Sequence, residues 1–331
     1  MIRVFWGSWS RFLVALLFVL LVLQILVLRP RDVHEGPLES SSMDELRQSF
    51  VEGVEQVMRS IHLVEARGGQ REWELWAEEA RSTRSQERWD LAQVKAVFVS
   101  DQGIQFTVTG AVGVVEVVDR DIWVEGDVLI RSANGYEYRT DRVSYSSAER
   151  RLFSPTPVSM REPPNALGEA LTLSGQSLVA DLETSLVKIT GDVRGSKRLE
   201  KGQLFNIRSE EADFSGLQRI GVFRGRVQMN LDEVRVTGDR AEFEYDGATQ
   251  EVQVVAVRGG VRASDSEKWV TSQEARAYLR ERRFVFSGEP RVVQDRDELR
   301  GDKIVFLDGG RQVRVERARA RVEKKSLENV N

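Results

Sequence analysis

A short two-part unit recurs along most of this 331-residue chain, and a chain built of such copies has few ways to fold. Thr109-Gly110 interrupts one apolar run, and about 16 residues further on Gly126-Asp127-Val128 opens the next. The first part returns as Thr140-Asp141-Arg142, Ser174-Gly175-Gln176, Ser209-Glu210-Glu211, Thr237-Gly238-Asp239, Thr271-Ser272-Gln273 and Arg300-Gly301-Asp302, roughly 32 residues apart on average. The second part returns as Gly191-Asp192-Val193, Gly225-Arg226-Val227, Gly259-Gly260-Val261 and Gly288-Glu289-Pro290-Arg291-Val292. Ser154-Pro155-Thr156-Pro157-Val158 fills the slot between Thr140 and Ser174. Small polar pairs at this spacing predict turns that end one short strand and begin another.

Between these pairs the apolar residues alternate. Ile104, Phe106 and Val108 share one face of a strand and polar groups take the other. One such strand cannot bury its apolar face alone, so stacked copies predict an all-β, quasi-linear sheet with an apolar face running its length. That face either closes on itself as a dry core or holds a ligand; the periodicity leaves both open.

Composition narrows the chemistry. Forty-eight basic and fifty-two acidic residues give a net charge of −4, with neither sign gathered into a block, which argues against a nucleic-acid partner. Cysteine is absent, so the chain has no disulfide framework, thiolate nucleophile or zinc-cysteine site. Its two histidines, His34 and His62, lie ahead of the repeats, and His62 reads as a rim residue. No nucleophile elbow, phosphate loop or zinc-protease motif occurs. The carboxylates Asp295 with Asp297 and Asp265 with Glu267 sit in turn-like, charged surroundings and read as solvated rim charge. Neither an enzyme nor a cofactor is expected.

Taken in order, the chain begins with an apolar run at residues 12–28, broken only by Gln24, with Trp6 and Trp9 ahead of it. Arg29-Pro30-Arg31 follows and no small-residue cleavage site does, so residues 1–31 read as an uncleaved anchor. Residues 32–56 read as a tether followed by a short amphipathic helix carrying Met43, Leu46, Phe50, Val54 and Val57. Gly68-Gly69 and Asn134-Gly135 are hairpin signals, the latter of the two-residue kind, and Asp308-Gly309-Gly310 is a third. The chain is expected to leave the sheet at residues 155–168, to change module near 195–202, and to fray at 324–331.

The order of these segments carries a resemblance. The anchor and tether are followed by Trp73-Glu74-Leu75-Trp76-Ala77-Glu78-Glu79-Ala80, by the run from Gly126-Asp127-Val128 to Asn134-Gly135-Tyr136, by Thr140-Asp141-Arg142-Val143-Ser144-Tyr145, and by Leu173-Ser174-Gly175-Gln176. This resembles the LptC family, membrane-anchored periplasmic components of lipopolysaccharide export. The likeness covers roughly residues 1–195, with a β module at 57–195. Val236-Thr237-Gly238-Asp239 and Leu299-Arg300-Gly301-Asp302 place a second module, residues 203–323, near the LptA/OstA type of bridge domain.

The resemblance implies an elongated, open β-jellyroll of stacked antiparallel strands, anchored in the inner membrane by one helix, with its bulk in the periplasm. It implies lipopolysaccharide as cargo, an inner-membrane lipopolysaccharide ABC transporter as donor, and a periplasmic bridge protein of the LptA type as acceptor. Ile104, Phe106, Val108, Val128, Ile130, Tyr138, Val143 and Tyr145 are the expected lipid slot. Double apolar steps such as Val117-Val118 and Phe284-Val285-Phe286 are expected to add to it. Leu299, Ile304, Phe306, Val313 and Val315 are the expected partner edge, an arginine-rich last rung open to strand addition. The competing reading is a structural scaffold with a dry core that assembles edge to edge.

Overall fold

The computed structural model describes residues 54–83, 88–164, 170–199, 202–215, 217–247, 249, 251–295 and 297–321. The expected anchor, the tether, most of the amphipathic helix, residues 165–169 and the tail lie outside the described residues. Among the described residues no helix is long and apolar enough to cross a membrane.

The expectation of an all-β chain holds. In order the strands are β1 (Val54–Arg67), β2 (Gln70–Thr83), β3 (Arg88–Val99), β4 (Gln105–Glu116), β5 (Ile122–Ser132), β6 (Glu137–Ser146), β7 (Arg151–Ser154), β8 (Val158–Arg161), β9 (Thr172–Gly175), β10 (Ser177–Asp181) and β11 (Leu186–Arg198). They continue as β12 (Leu204–Ser215), β13 (Ile220–Leu231), β14 (Val234–Tyr245), β15 (Val252–Ser264), β16 (Lys268–Tyr278), β17 (Arg283–Ser287), β18 (Arg291–Gln294), β19 (Asp297–Arg300), β20 (Lys303–Leu307), β21 (Gln312–Glu316) and β22 (Arg319–Arg321). All belong to one antiparallel sheet: β1 to β6 and β11 to β16 pair in chain order, while the split rungs pair β7 with β6 and β10, β8 with β6 and β9, β17 with β16 and β20, and β18 with β16 and β19. Val54 and Val57, assigned from sequence to the helix, lie in β1, where Val54 pairs with Thr83 and Val57 with Arg81.

The repeated polar pairs prove to be bends inside strands, not turns between them. Gly126-Asp127 sits in the middle of β5, and the β4–β5 ladder resumes on both sides of it with a register shift between Thr109 and Val112. Both residues are left-handed, Gly126 at φ +82° and Asp127 at φ +48°, which inserts an unpaired bulge and turns the strand sharply. The same shift marks β11, β13 and β15. The two parts of the unit meet in space: a Cβ on Gly110 would stand 2.5 Å from Val124 Cγ1 and 3.2 Å from the Glu125 carbonyl oxygen. A glycine on the neighbouring strand therefore makes room for the bend. At the first part of the unit, serine hydroxyls bond carbonyls two residues further on: Ser209 Oγ donates to the Glu211 oxygen at 2.8 Å and Ser272 Oγ to the Glu274 oxygen at 3.0 Å.

The expected break at residues 155–168 contains a strand, β8. Pro155-Thr156-Pro157 only splits a rung in two, since β7 and β8 both pair with β6. Thr140 Oγ1 ties this bend together, within 2.7 Å of Ser154 Oγ and of Thr156 Oγ1 and donating to the Pro157 oxygen at 3.1 Å. The true turns lie elsewhere. Gly68-Gly69 forms the expected hairpin, but the turn at Asn134-Gly135 has three residues, because Ser132 N donates to the Tyr136 oxygen and Gly135 takes φ +92°. The ladder continues through the proposed module boundary: β11 pairs with β12 from Leu186↔Ser215 to Arg198↔Leu204.

Bent rungs stacked on one another fold the sheet into a trough of two walls. The buried cluster between the walls runs from Ile61 to Val261, and a smaller one follows from Val270 to Phe306.

Candidate functional site

The expected slot residues come together. Phe106, Val108, Val128, Ile130, Tyr138, Val143 and Tyr145 all face the interior and belong to the large cluster, with Ile104 packed half-buried against it. Phase is kept across the bend in β5 but inverted in β6, where Tyr138 and Thr140 are buried on one side and Val143 and Tyr145 on the other. Their out-facing neighbours Thr107 and Arg131 are half-buried and exposed. The extra apolar steps contribute only in part: Val117 and Val118 are exposed in the turn after β4 and Phe284 is exposed, but Phe286 is buried in the smaller cluster.

The interior is aromatic in both halves. Phe98 lies 4.6 Å from Tyr145, centroid to centroid, and Phe223 packs edge-on against Phe214 at 5.9 Å and Phe243 at 5.4 Å. The phenylalanines were visible as period-two residues but belong to strands that the slot assignment left out. Of the expected partner edge, Leu299, Ile304 and Phe306 lie on β19 and β20, with Ile304 fully buried. Only Val313 and Val315 lie on the outermost rung, β21 and β22, which pairs inward with β20 and β19.

Opposite the bends, the two walls end in rows of strand tips, and these lips are stitched together over the first part of the sheet. Arg120 Nη1 donates to Glu65 at 2.7 Å, and Arg67 donates to the Ser147 carbonyl at 2.9 Å. The Glu72 carboxylate, 1% exposed, accepts from Tyr145 Oη at 2.6 Å and from Arg67 Nε at 3.1 Å, with Arg150 beyond at 3.8 Å. Arg150 in turn holds Asp101 at 2.5 Å. Asp101 N donates to the Leu182 oxygen at 2.9 Å, and Ser185 Oγ to Ser100 Oγ at 3.0 Å. Apart from Arg67 and Glu72, which flank one hairpin, the partners lie far apart in sequence, which is why the seam left no signal there.

Past Ser185 the lips part around a cavity of about 210 Å³. Ile104, Phe106, Tyr136 and Tyr138 line it from one wall, and Val187, Phe214, Ile220 and Tyr245 from the other, with Arg219 at its rim. Burial, with the Glu162 carboxylate second, pushes the Tyr136 phenol up to about 12; burial raises Tyr138 and Tyr245 as well. Burial, then the hydrogen bond to Glu72, raises Tyr145. These phenols stay neutral at physiological pH, so the mouth offers an apolar surface edged with hydroxyls. No cluster of residues able to hold a metal occurs among the described residues.

A family profile described as "Lipopolysaccharide-assembly, LptC-related" matches residues 14–198, more than half of the chain. The chain belongs to the LptC-related family. A second profile, described as "LptA/(LptD N-terminal domain) LPS transport protein", matches residues 206–308. The LptC-related region ends with β11 and includes every stitch of the seam; the LptA-type region begins within β12. Both descriptions are of lipopolysaccharide assembly and transport, and this LptC-related chain has a role in that transport. No curated protein matches significantly. Among solved structures, the chain is similar to the crystal structure of LptH, the LptA homologous periplasmic component of the conserved lipopolysaccharide transport device from Pseudomonas aeruginosa. That similarity has 16% identity and a TM-score of 0.34, over 36% of this chain and 95% of that one.

Proposed function

We propose that this chain is an inner-membrane-anchored periplasmic carrier that accepts lipopolysaccharide from an ABC transporter and passes it toward the outer membrane through its own interior. The apolar run at residues 12–28 supplies the anchor, the module at 57–195 the acceptor, and the module at 203–323 a built-in length of bridge leading to a bridge protein of the LptA type. One observation supports this most: the buried apolar cluster runs without interruption from Ile61 across the family boundary to Val261. A carrier needs such continuity, because each methylene moved from apolar surroundings into water costs about 0.8 kcal/mol. No chemistry is asked of the protein; the driving force comes from the transporter.

A second reading keeps the interior dry and makes the chain a scaffold. Close packing favours it: Val108 is fully buried and Tyr145 1% exposed, beneath a stitched seam. Conduction then requires the seam to open. A photo-crosslinking side chain separates the readings. Placed at Phe106, Ile130 or Tyr145 during active export it captures lipopolysaccharide, and at Ser144, the out-facing neighbour of Tyr145, it does not; equal capture at Ser144 and the interior positions, or none at any of them, leaves the scaffold.

A further inference from the structure

The lipid reading of the interior leaves unused a trough on the outer surface of the same strands. Two register rows cross β6, β8, β9, β11 and β12. One runs Arg139↔Ser159↔Ser174↔Arg194↔Arg208, and the next runs Glu137↔Arg161↔Thr172↔Ser196↔Asn206. Small hydroxylated side chains on the middle strands form a floor and the arginines form the walls, enclosing about 720 Å³. A second concavity of about 640 Å³ continues it past Arg139 and Arg194 toward the bend.

The charges of this trough differ from those of the opposite wall's outer face. There Lys188, Arg240, Arg258 and Arg276 are each paired with a carboxylate on the same or an adjacent rung. In the trough, Arg194 is held by Asp192 at 2.5 Å and Arg139 lies 3.9 Å from Glu137. Arg161 and Arg208 are exposed and, among the described residues, make no direct ion pair, although Arg161 acts at longer range on Glu137 and Arg208 on Asp192. An unpaired guanidinium is a bidentate site for phosphate or carboxylate. Hydroxyls and the carboxamides of Asn206 and Asn230 complement sugar hydroxyls. Met160, Leu173 and Ile207 are buried on the inner side, so no aromatic or large apolar group faces outward here. The trough thus lacks the stacking surface a nucleobase uses and the apolar anchor a protein partner uses.

Its position ties it to the cavity. Tyr136 and Tyr138 line the inner mouth, while Glu137 and Arg139, the alternate residues of the same strand, line the trough. One sheet thickness separates the two, and the turn at residues 133–135 is the lip between them. We propose that the trough binds the phosphate- or carboxylate-bearing sugars of the glycolipid whose acyl chains enter the mouth. Arg161 and Arg208 hold the anions, and Ser159, Thr172, Ser174 and Ser196 the sugar hydroxyls. The trough's chemistry stands without the lipid reading; the naming of a glycolipid rests on it.

The test titrates the full-length protein with alkali-deacylated, phosphate-retaining rough lipopolysaccharide by calorimetry at low ionic strength. Saturable binding is expected, weakened about ten-fold or more in the double variant Arg161→Gln/Arg208→Gln, the size of one lost charge-assisted hydrogen bond. The double variant Arg240→Gln/Arg258→Gln on the opposite wall binds as the parent does, and enzymatic removal of the phosphates weakens binding as the trough variant does. If the deacylated glycan fails to bind while intact lipopolysaccharide still crosslinks to Phe106, the trough is overturned and the carrier survives. If neither binds, both fall. Binding to phosphatidylglycerol vesicles that the trough variant loses, without glycan binding, makes the trough a membrane-facing surface and also overturns the proposal.

Discussion

Four of the five tyrosines, Tyr136, Tyr138, Tyr145 and Tyr245, are held neutral by burial. Their phenols ionise in the unfolded chain near the ordinary value of 10 but resist ionisation in the fold, Tyr136 until about 12. A folded-state value raised in this way stabilises the protein below about pH 10, and that stability is lost as pH rises through the interval from 10 to 12. Cooperative unfolding is therefore expected in that interval, with tyrosinate absorbance rising together with loss of β circular dichroism. Tyrosinate that appears near pH 10 with the sheet intact contradicts the burial. At this scale the sequence was informative wherever a period of two held, as it did for Phe106, Val108, Val128 and Ile130. It misled at Val117-Val118, where two adjacent apolar residues looked like surplus core and are turn residues left in solvent.

The recurring element was legible as a recurrence and misread as a turn. A glycine followed by a polar residue suits a tight turn and a bulge equally, because both need left-handed backbone; only the partner strand's register distinguishes them. In the last rung, left-handed backbone at Arg317, φ +51°, likewise separates β21 from β22. If the close approach at the bend is what requires glycine on the facing strand, Gly110→Ala destabilises the sheet by about 1–3 kcal/mol through overpacking against Val124. Urea titration measures this, and an unchanged midpoint refutes it. The last rung makes a second prediction at this scale. Deleting residues 312–331 removes β21 and β22 and uncovers β19 and β20; loss of bridge-protein binding with retained transporter binding is expected from strand addition at that edge. Bridge-protein binding that survives the deletion makes the rung a cap.

Across the whole molecule, an unbroken ladder and one apolar cluster join two regions that match different family profiles. Both regions were legible from motif order, but their continuity was not, because the lysine- and arginine-rich stretch at 195–202 looks like a linker in sequence, whereas residues 195–198 belong to β11 and pair with β12. The seam was not legible either. It depends on strand tips brought together by the bends, such as Glu72 with Tyr145 and Asp101 with Leu182. Stitched as it is, the seam encloses the first half of the interior, so a carrier must part it to load.

The chain's lack of cysteine makes that movement directly testable. Ser100 and Ser185 face each other across the seam with their hydroxyls 3.0 Å apart, and the pair Ser100→Cys/Ser185→Cys provides a lock that a reductant releases. The measurement is capture of lipopolysaccharide by a crosslinker at Tyr145, in the oxidised and reduced protein, with the disulfide confirmed by mass. The account predicts capture lost on oxidation and restored on reduction; undiminished capture in the oxidised protein contradicts it.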